Sequence, residues 1–281
     1  MQAGEPPATL CTVKTARRPT RKLREEPAGS WFGLRFGDRG THTSRTMMFS
    51  ELFELLKFTP ATTVAPEYRT SIIEDNLLGK RTQATRKLTA QRLSELYGLD
   101  PAVPVFRVLR RLWDADHAGR PMVAFLVAFA RDPLLRTTTD AVLPIQVGRP
   151  VTTAAIDAAL DERLGKRLNP SVRHKVARNV GSSWTQSGHL QGRTAKRRVK
   201  PTVSPSAACM ALVLGYVTGL RGRALFTSDW ARVLDVSYSE LSQLVQAANR
   251  AGLLNYRQVG DVIELQFPTL IRPYEETLCH G

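Results

Sequence analysis

The sequence predicts a mainly α-helical protein, in which a helical bundle is followed by two winged-helix-like units with short β-hairpins. Apolar residues recur every three or four positions from Phe49 onward, the period of a helix that packs on one face. In two places, helical segments lead into a pair of short stretches joined near a glycine, which is typical of a hairpin. The first helices therefore form the bundle, and the hairpins mark the two smaller units.

The chain carries far more positive than negative charge. Its 281 residues include 40 lysines and arginines against 25 acidic residues, which gives a net charge of +15 and a pI near 10.4. Such an imbalance bears on partners and not on the fold, so polyanions are the first candidates. Residues 151–203 hold about half of the excess, with a net charge of +8.

Cysteine spacing and hydropathy exclude several classes of protein. The three cysteines lie far apart without a CxxC pair, which predicts neither a zinc cluster nor a disulfide framework and fits a reducing cytoplasm. The longest apolar run, Met122–Ala130, is about half of the roughly 20 residues that a membrane-spanning helix needs. The first 30 residues hold no apolar stretch of a secretory signal. We expect a cytoplasmic protein without a membrane partner.

Both ends of the chain are predicted to be tails. Residues 1–47 mix proline, glycine, threonine and arginine without apolar periodicity, which predicts a disordered basic tail. An alternative is that translation begins at Met47 or Met48, where the patterned sequence starts. A translated tail would add non-specific attraction to nucleic acid. Residues 271–281 are predicted to form the second tail.

Residues 48–150 are predicted to form the helical bundle. Its helices are expected to begin or end at proline and glycine, because the residue before proline disfavours helical geometry and glycine commonly follows the last turn. The segment Met122–Phe129 is apolar nearly all round, so that helix should be central and buried. The predicted helices start at Phe49, Pro66, Thr82, Asp100, Arg120 and Leu134.

Residues 151–203 are predicted to form a basic winged-helix-like unit. A helix at Val151–Leu164 is followed by a second helix that starts at Asn169 and breaks at Gly188. The spacing between Leu190 and Val199 then suits a hairpin. At 100° per residue, one face of the second helix is apolar and packs: Val172, Val176, Val180 and Trp184. The opposite face carries His174, Arg178 and Thr185.

Positive side chains on this helix and hairpin are candidates for phosphate contact. They are Arg173, His174, Lys175, Arg178, Arg193, Lys196, Arg197, Arg198 and Lys200. The small residues Gly181, Ser182 and Ser183 would let a backbone approach the helix closely. The competing interpretation is a solvated face or a flexible linker. Because the charges follow a helix with an intact apolar stripe, phosphate contact is preferred, with sequence reading left open.

Residues 204–270 are predicted to form a C-terminal winged helix-turn-helix. Helices beginning at Pro205, at the cap Thr227 and at the cap Ser237 are followed by two strands that meet at Gly260. The outer face of the third helix carries Gln243, Gln246 and Arg250, residue types that read adenine and guanine in a major groove. Residues 204–281 have a net charge of −1, however, so this unit is either a DNA reader or a protein-docking module.

The sequence offers little support for catalysis. The five histidines are scattered, and no metal-ligand spacing, phosphate-binding glycine loop or nucleophile elbow appears. Carboxylate pairs such as Glu74-Asp75 lie near helix ends, where the helix dipole explains them. We therefore expect a protein that is not an enzyme, without catalytic residues, cofactor or metal.

Several runs resemble the BrxA family of bacteriophage-exclusion (BREX) defence systems over residues 48–268. They are IIEDNLLGKRTQATRKLTAQRLSEL, FLVAFARDPLLR, SVRHKVARNVGSSWTQSGHL and SDWARVLDVSYSELSQLVQAANRAGLL. The residues that carry the resemblance are Asn76, Arg81-Thr82, Thr85, Arg92-Leu93, Gly188, Leu190 and Gly192. The resemblance implies an all-helical accessory protein that binds DNA without cutting or modifying it. Its partners would be a methyltransferase, an ATPase and other defence components.

Together, these observations predict a non-enzymatic protein that binds double-stranded DNA in phage defence. Its other expected partners are defence proteins, and a homo-oligomer is compatible with the sequence. Two alternatives stay open. One is a protein adaptor whose winged units dock other subunits, and the other is a winged-helix transcriptional regulator.

Overall fold

The structure, a computed structural model, describes residue 1, residues 27–37 and residues 46–279, with the side chain of Lys166 excepted. The described chain is mainly helical, with two small antiparallel sheets. Its α-helices are α1 Phe49–Phe58, α2 Ala65–Ile73, α3 Gln83–Tyr97, α4 Pro104–Ala115, α5 Arg120–Arg131, α6 Pro133–Thr137, α7 Thr139–Val142, α8 Thr153–Leu164, α9 Pro170–Gln186, α10 Pro205–Val217, α11 Arg223–Phe226, α12 Asp229–Arg232, α13 Tyr238–Arg250 and α14 Pro273–Glu276.

The strands lie in the second half of the chain. They are β1 Pro150–Val151, β2 Leu190–Gln191, β3 Lys196–Arg198, β4 Asn255–Val259 and β5 Val262–Gln266. In the first sheet the order is β1-β3-β2, with both pairs antiparallel. The second sheet is a hairpin in which Val259 faces Val262 across the turn. Both hairpins therefore stand where the sequence predicts them.

One core joins the bundle to the C-terminal region. Every residue of Met122–Ala130 is buried, so α5 is the central helix that its apolar sequence predicts. Helix α10 is buried on all sides over 206–217, and it contacts α4 and α5 as well as α12 and α13. The buried apolar residues accordingly form a single cluster from Phe32 to Cys279. The predicted boundary at residue 204 does not separate two cores.

The N-terminal prediction is wrong for residues 27–37, which pack against the bundle. Phe32 is completely buried, and Trp31 packs against the same core. The guanidinium of Arg131 donates to the Gly33 carbonyl at 2.6 Å, and Arg136 donates to the Arg35 carbonyl. A buried arginine, Arg131, and a half-buried one, Arg136, therefore hold a segment that shows no apolar periodicity. The prediction is also wrong for Met47, which is buried and whose amide donates to the Ser183 hydroxyl at 2.9 Å. Residues 2–26 and 38–45 of the predicted tail lie outside the described residues.

The predicted C-terminal tail is also wrong for residues 271–279. They form α14 and a turn of 3₁₀-helix at Thr277–Cys279. Glu275 is almost fully buried, and the Arg107 guanidinium donates to its two carboxylate oxygens at 2.8 and 2.5 Å. A long-range ion pair therefore fixes this end of the chain. Residues 280–281 lie outside the described part.

Other departures from the predicted elements are local. Helix α2 ends at Ile73 and not at Leu78, and Asn76 takes a left-handed conformation (φ 50°) in the loop that follows. The segment predicted as one helix from Leu134 is divided into α6 and α7. The cap of α12 is Ser228 and not Thr227, since its hydroxyl accepts from the Ala231 amide. Within the described chain, no helix combines the length and hydropathy that crossing a membrane requires.

Candidate nucleic-acid interface

Helix α9 is built to leave one face in solvent. It starts at Asn169, whose side-chain oxygen accepts from the Val172 amide at 3.0 Å, and proline occupies the first helical position. On the inner face, Val176 and Val180 are buried. The indole of Trp184 donates to the Thr138 hydroxyl at 2.9 Å, which ties the helix to the bundle. The predicted apolar stripe is thus confirmed as the packed side, with Val172 only half-buried at its start.

The outer face of α9 carries three candidate contacts. His174, Lys175 and Arg178 are exposed, and Arg178 follows Lys175 by three residues and His174 by four, which places it next to both on the helix surface. Within the described chain, none of the three forms a salt bridge. We call these three residues the basic stripe. The Lys175 ammonium and the Arg178 guanidinium are free to meet an anion, and the His174 imidazole is exposed beside them.

The acidic residues of this region are confined to one helix. The segment 151–203 contains three carboxylates, Asp157, Asp161 and Glu162, and all three lie on α8. Arg173 turns toward them: its guanidinium donates to both Asp157 oxygens at 3.2 Å and also to Asp161. The hydrogen bonds with Asp157 raise the pKa of Arg173 above its ordinary value. Arg173 is therefore neutralised by α8 and does not belong to the basic stripe.

The hairpin adds further positive groups. Arg193 is exposed in the loop 192–195 between β2 and β3. Arg197 is also exposed, and its guanidinium donates to the Gly148 carbonyl at 3.1 Å. Lys200 is exposed near the start of α13, where it helps the Ser237 amide to lower the pKa of Glu240. Arg193 makes no hydrogen bond or salt bridge within the described chain, so its guanidinium is the most available of the three side chains.

Lys196 is half-buried and turned toward α9. Its ammonium donates to the Thr185 hydroxyl at 2.9 Å and to the Gly192 carbonyl at 3.3 Å. Burial lowers the pKa of the ammonium below its ordinary value. The head of Lys196 is thus occupied inside the unit, although the sequence places it among the phosphate contacts.

Arg198 is buried, so its assignment as a nucleic-acid contact is wrong. Only 1% of its side chain is exposed, and its guanidinium donates to Asp235 at 2.6 Å and to the His189 carbonyl at 3.1 Å. Asp235 lies in the turn between α12 and α13 with a left-handed backbone (φ 55°). The arginine therefore joins the hairpin to the C-terminal unit.

His189 supports the same joint from inside. Its Nε2 lies 2.8 Å from the Val233 carbonyl, which accepts, so Nε2 carries the proton in the neutral ring. The Ser187 hydroxyl lies 2.7 Å from Nδ1 and 2.9 Å from the Trp184 carbonyl, so these two acceptors share its one proton. Burial, together with the charge of the nearby Arg198, lowers the pKa of His189 to about 3. The sequence signals this role only through the position of His189 between Gly188 and a β-prone stretch.

The C-terminal unit exposes the face that the sequence predicts. Gln243, Gln246 and Arg250 all lie on the outer side of α13. The helix begins with a capping box, in which the Glu240 carboxylate accepts from the Ser237 amide at 2.7 Å. A carboxylate therefore occupies the end of α13 where a phosphate would otherwise be attracted. By contrast, α9 has no acidic residue in its first turn.

No metal-binding group of histidine, cysteine and acidic residues occurs in the part of the chain that the structure describes. Comparison with known proteins found no matching family model, curated protein or solved structure.

Proposed function

We propose that the protein binds double-stranded DNA without catalysing a reaction, and that the basic stripe and Arg193 contact the phosphate backbone. One observation carries the proposal. The region with the largest charge excess keeps its acidic residues on α8, so the outer face of α9 presents Lys175, Arg178, the His174 imidazole and small polar groups without a carboxylate. Neutralisation of phosphates releases counterions and dominates affinity for duplex DNA.

The order of elements supports a winged helix as the scaffold. Strand β1 precedes α8 and α9, the hairpin β2–β3 follows, and β3 lies in the centre of the sheet. In winged helix-turn-helix proteins the second helix of the pair enters the major groove, and this role falls to α9 here. The loop 192–195 would be the wing. Elements α10 to β5 correspond to the second predicted winged unit, although their hairpin has no third strand in the described chain.

Salt dependence of DNA affinity tests the proposal. Removing two phosphate contacts with Arg178→Ala and Arg193→Ala should lower the slope of log affinity against log salt by about 2. The matched control is the double variant Arg69→Ala and Arg257→Ala, which removes two exposed arginines elsewhere. Affinity would be measured by fluorescence anisotropy with the full chain and a duplex of mixed sequence. An equal slope in both variants would remove the basic stripe from the proposal.

The C-terminal unit favours the adaptor alternative more than the middle unit does. Residues 204–281 have a net charge of −1 and a carboxylate caps α13, so phosphate is a weak partner for this unit. Replacement of Gln243 and Arg250 by alanine should then weaken capture of a partner protein while DNA affinity stays unchanged. A changed preference among DNA sequences would instead assign base reading to α13.

A place in phage defence is proposed from the sequence resemblance alone. A BREX accessory protein should be encoded beside the methyltransferase and the ATPase of such a system, and its deletion should change phage plating. A gene with no defence neighbours, whose deletion changes the expression of adjacent genes, would favour the transcriptional regulator.

A further inference from the structure

The hairpin β2–β3 is too short to hold its own position. Strand β2 has two residues and β3 has three, and the pairs are Leu190 with Arg198 and Gln191 with Arg197. Isolated two-stranded hairpins are marginally stable at best. The additional pairing of β3 with β1 fixes the base of the sheet, but it does not reach the loop 192–195. Another interaction must set the distance from Arg193 to α9.

The side chain of Lys196 supplies that interaction. Its ammonium donates to the Thr185 hydroxyl on α9 and to the Gly192 carbonyl at the start of the loop, at 2.9 and 3.3 Å. The Thr185 hydroxyl in turn donates to the Gly181 carbonyl at 2.9 Å. A continuous chain of hydrogen bonds therefore runs from the loop through β3 to the backbone of α9.

The surface of α9 makes room for the stem of this lysine. At Gly181, an added Cβ would lie 3.3 Å from Ile156 and 3.5 Å from the Cε of Lys196. A methyl group at position 181 would be in ordinary van der Waals contact with the lysine stem and slightly crowded against Ile156. Exposed lysines usually keep the ammonium in water while the stem lies on the protein. Here the ammonium also faces protein groups.

The loop geometry depends on a second glycine. Gly192 has a left-handed backbone (φ 108°), and an added Cβ would lie 2.1 Å from the Ala195 carbonyl oxygen. The loop therefore folds back on itself tightly. This fold brings the Gly192 carbonyl within reach of Lys196, four residues later.

We infer that Lys196 is a positioning residue that fastens the wing to α9, and that it does not contact phosphate. The contacts among Lys196, Thr185 and Gly192 are called the lysine latch. The latch holds Arg193 at a fixed place beside the basic stripe, so that both meet one duplex. Its effect on affinity rests on the proposed DNA binding, whereas its effect on the hairpin does not.

Two substitutions separate positioning from phosphate contact. Lys196→Met keeps the stem and removes the ammonium, and Thr185→Val keeps the shape and removes the acceptor without a change in charge. Each should weaken DNA binding about two- to tenfold at fixed salt, the range expected for one lost hydrogen bond. The slope of log affinity against log salt should stay that of the unmodified chain. The double variant should bind no more weakly than either single one.

Two further results distinguish the lysine latch from a phosphate contact of Lys196. Thr185→Ser retains the hydroxyl, so it should bind like the unmodified chain. A phosphate contact predicts the opposite pattern, in which Lys196→Met lowers the salt slope by about 1 and Thr185→Val has no effect. That pattern would overturn the latch.

Hydrogen exchange without DNA keeps the test independent of the proposed function. In the full chain, both latch variants should exchange the paired backbone amides of the hairpin, residues 190–191 and 196–198, about fivefold faster or more, because each variant loses at least one hydrogen bond of the latch. Arg193→Ala is the matched control and should leave their exchange unchanged. Unchanged exchange in both latch variants overturns the latch. Faster exchange in a chain that does not bind DNA supports the latch and refutes the DNA proposal.

Discussion

Arg198 shows how burial changes what a positive residue does. In the sequence it belongs to the run Lys196–Lys200, which favours a nucleic-acid contact. In the structure its guanidinium is bound to Asp235 and to backbone carbonyls, so it stabilises the joint between two units. A buried arginine that loses its carboxylate keeps the desolvation cost without the attraction.

The Arg198–Asp235 pair should therefore contribute strongly to stability. Asp235→Asn should lower the free energy of unfolding by about 2 to 3 kcal/mol, because asparagine tolerates the left-handed backbone but leaves Arg198 charged and unpaired. Urea unfolding followed by circular dichroism measures the change. The control is Asp140→Asn, whose pair with Arg232 is exposed on both sides and should contribute under about 1 kcal/mol. Equal losses would show that the pair at the joint has no special weight.

His189 predicts a pH dependence of stability. Its folded pKa of about 3 lies below the unfolded value near 6.5, so between these values the unfolded chain binds the proton and the folded chain does not. Its stabilising contribution is full above the unfolded pKa and is lost as pH falls toward 3. Between pH 7 and 5.5 the loss should be about 1 kcal/mol.

Substitution of His189 isolates this effect. In His189→Gln the loss between pH 7 and 5.5 should largely disappear, although the variant is less stable at pH 7. The two exposed histidines His117 and His174 serve as controls, because their replacement by glutamine should leave the loss in place. If all three variants lose stability equally between the two pH values, the cause lies outside His189.

At the scale of elements, the segment 27–37 is the main structural feature that the sequence does not predict. Local patterns identify helices through periodicity and hairpins through glycine, and those elements are confirmed. The segment 27–37 shows no apolar periodicity. Long-range contacts hold it in place: Arg131 and Arg136 donate to its carbonyls, and Phe32 enters the core. Such contacts cannot be derived from neighbours in sequence.

This segment should be necessary for full stability. Phe32→Ala should lower the free energy of unfolding by about 3 to 5 kcal/mol, the usual cost of truncating a buried phenylalanine. Phe58→Ala is the control, since its ring is 60% exposed and its loss should cost little. Differential scanning calorimetry of both variants would measure the effect. A small change in Phe32→Ala would mean that the segment contributes little to the core.

The candidate interface was only partly predictable, for a related reason. On α9 the apolar stripe tells which residues face outward, and the basic stripe is exposed as predicted. On β3 all three residues, Lys196 to Arg198, are basic. Side chains alternate between the two faces of a strand, but these residue types do not show which face is buried. The partner that decides the question, Asp235, lies 37 residues away in sequence. Composition alone does not distinguish a buried, paired arginine from one that is exposed to solvent.

For the whole molecule, the shared core predicts cooperative unfolding. Helix α10 packs against both the bundle and α12–α13, so neither side can lose its structure without exposing that helix. Tryptophan fluorescence and far-ultraviolet circular dichroism should give coincident urea transitions. Leu212→Ala, within α10, should shift both transitions by the same amount. Two separate transitions would contradict a single cooperative unit.

The burial of α10 also limits how the protein can be dissected for experiments. A recombinant fragment that begins at Ser204 would start with a helix whose residues 206–217 are buried in the full chain. In water that fragment would expose a large apolar surface and would be expected to aggregate. Mapping with truncated fragments would then report loss of solubility in place of loss of binding. Point substitutions in the intact chain avoid this confusion.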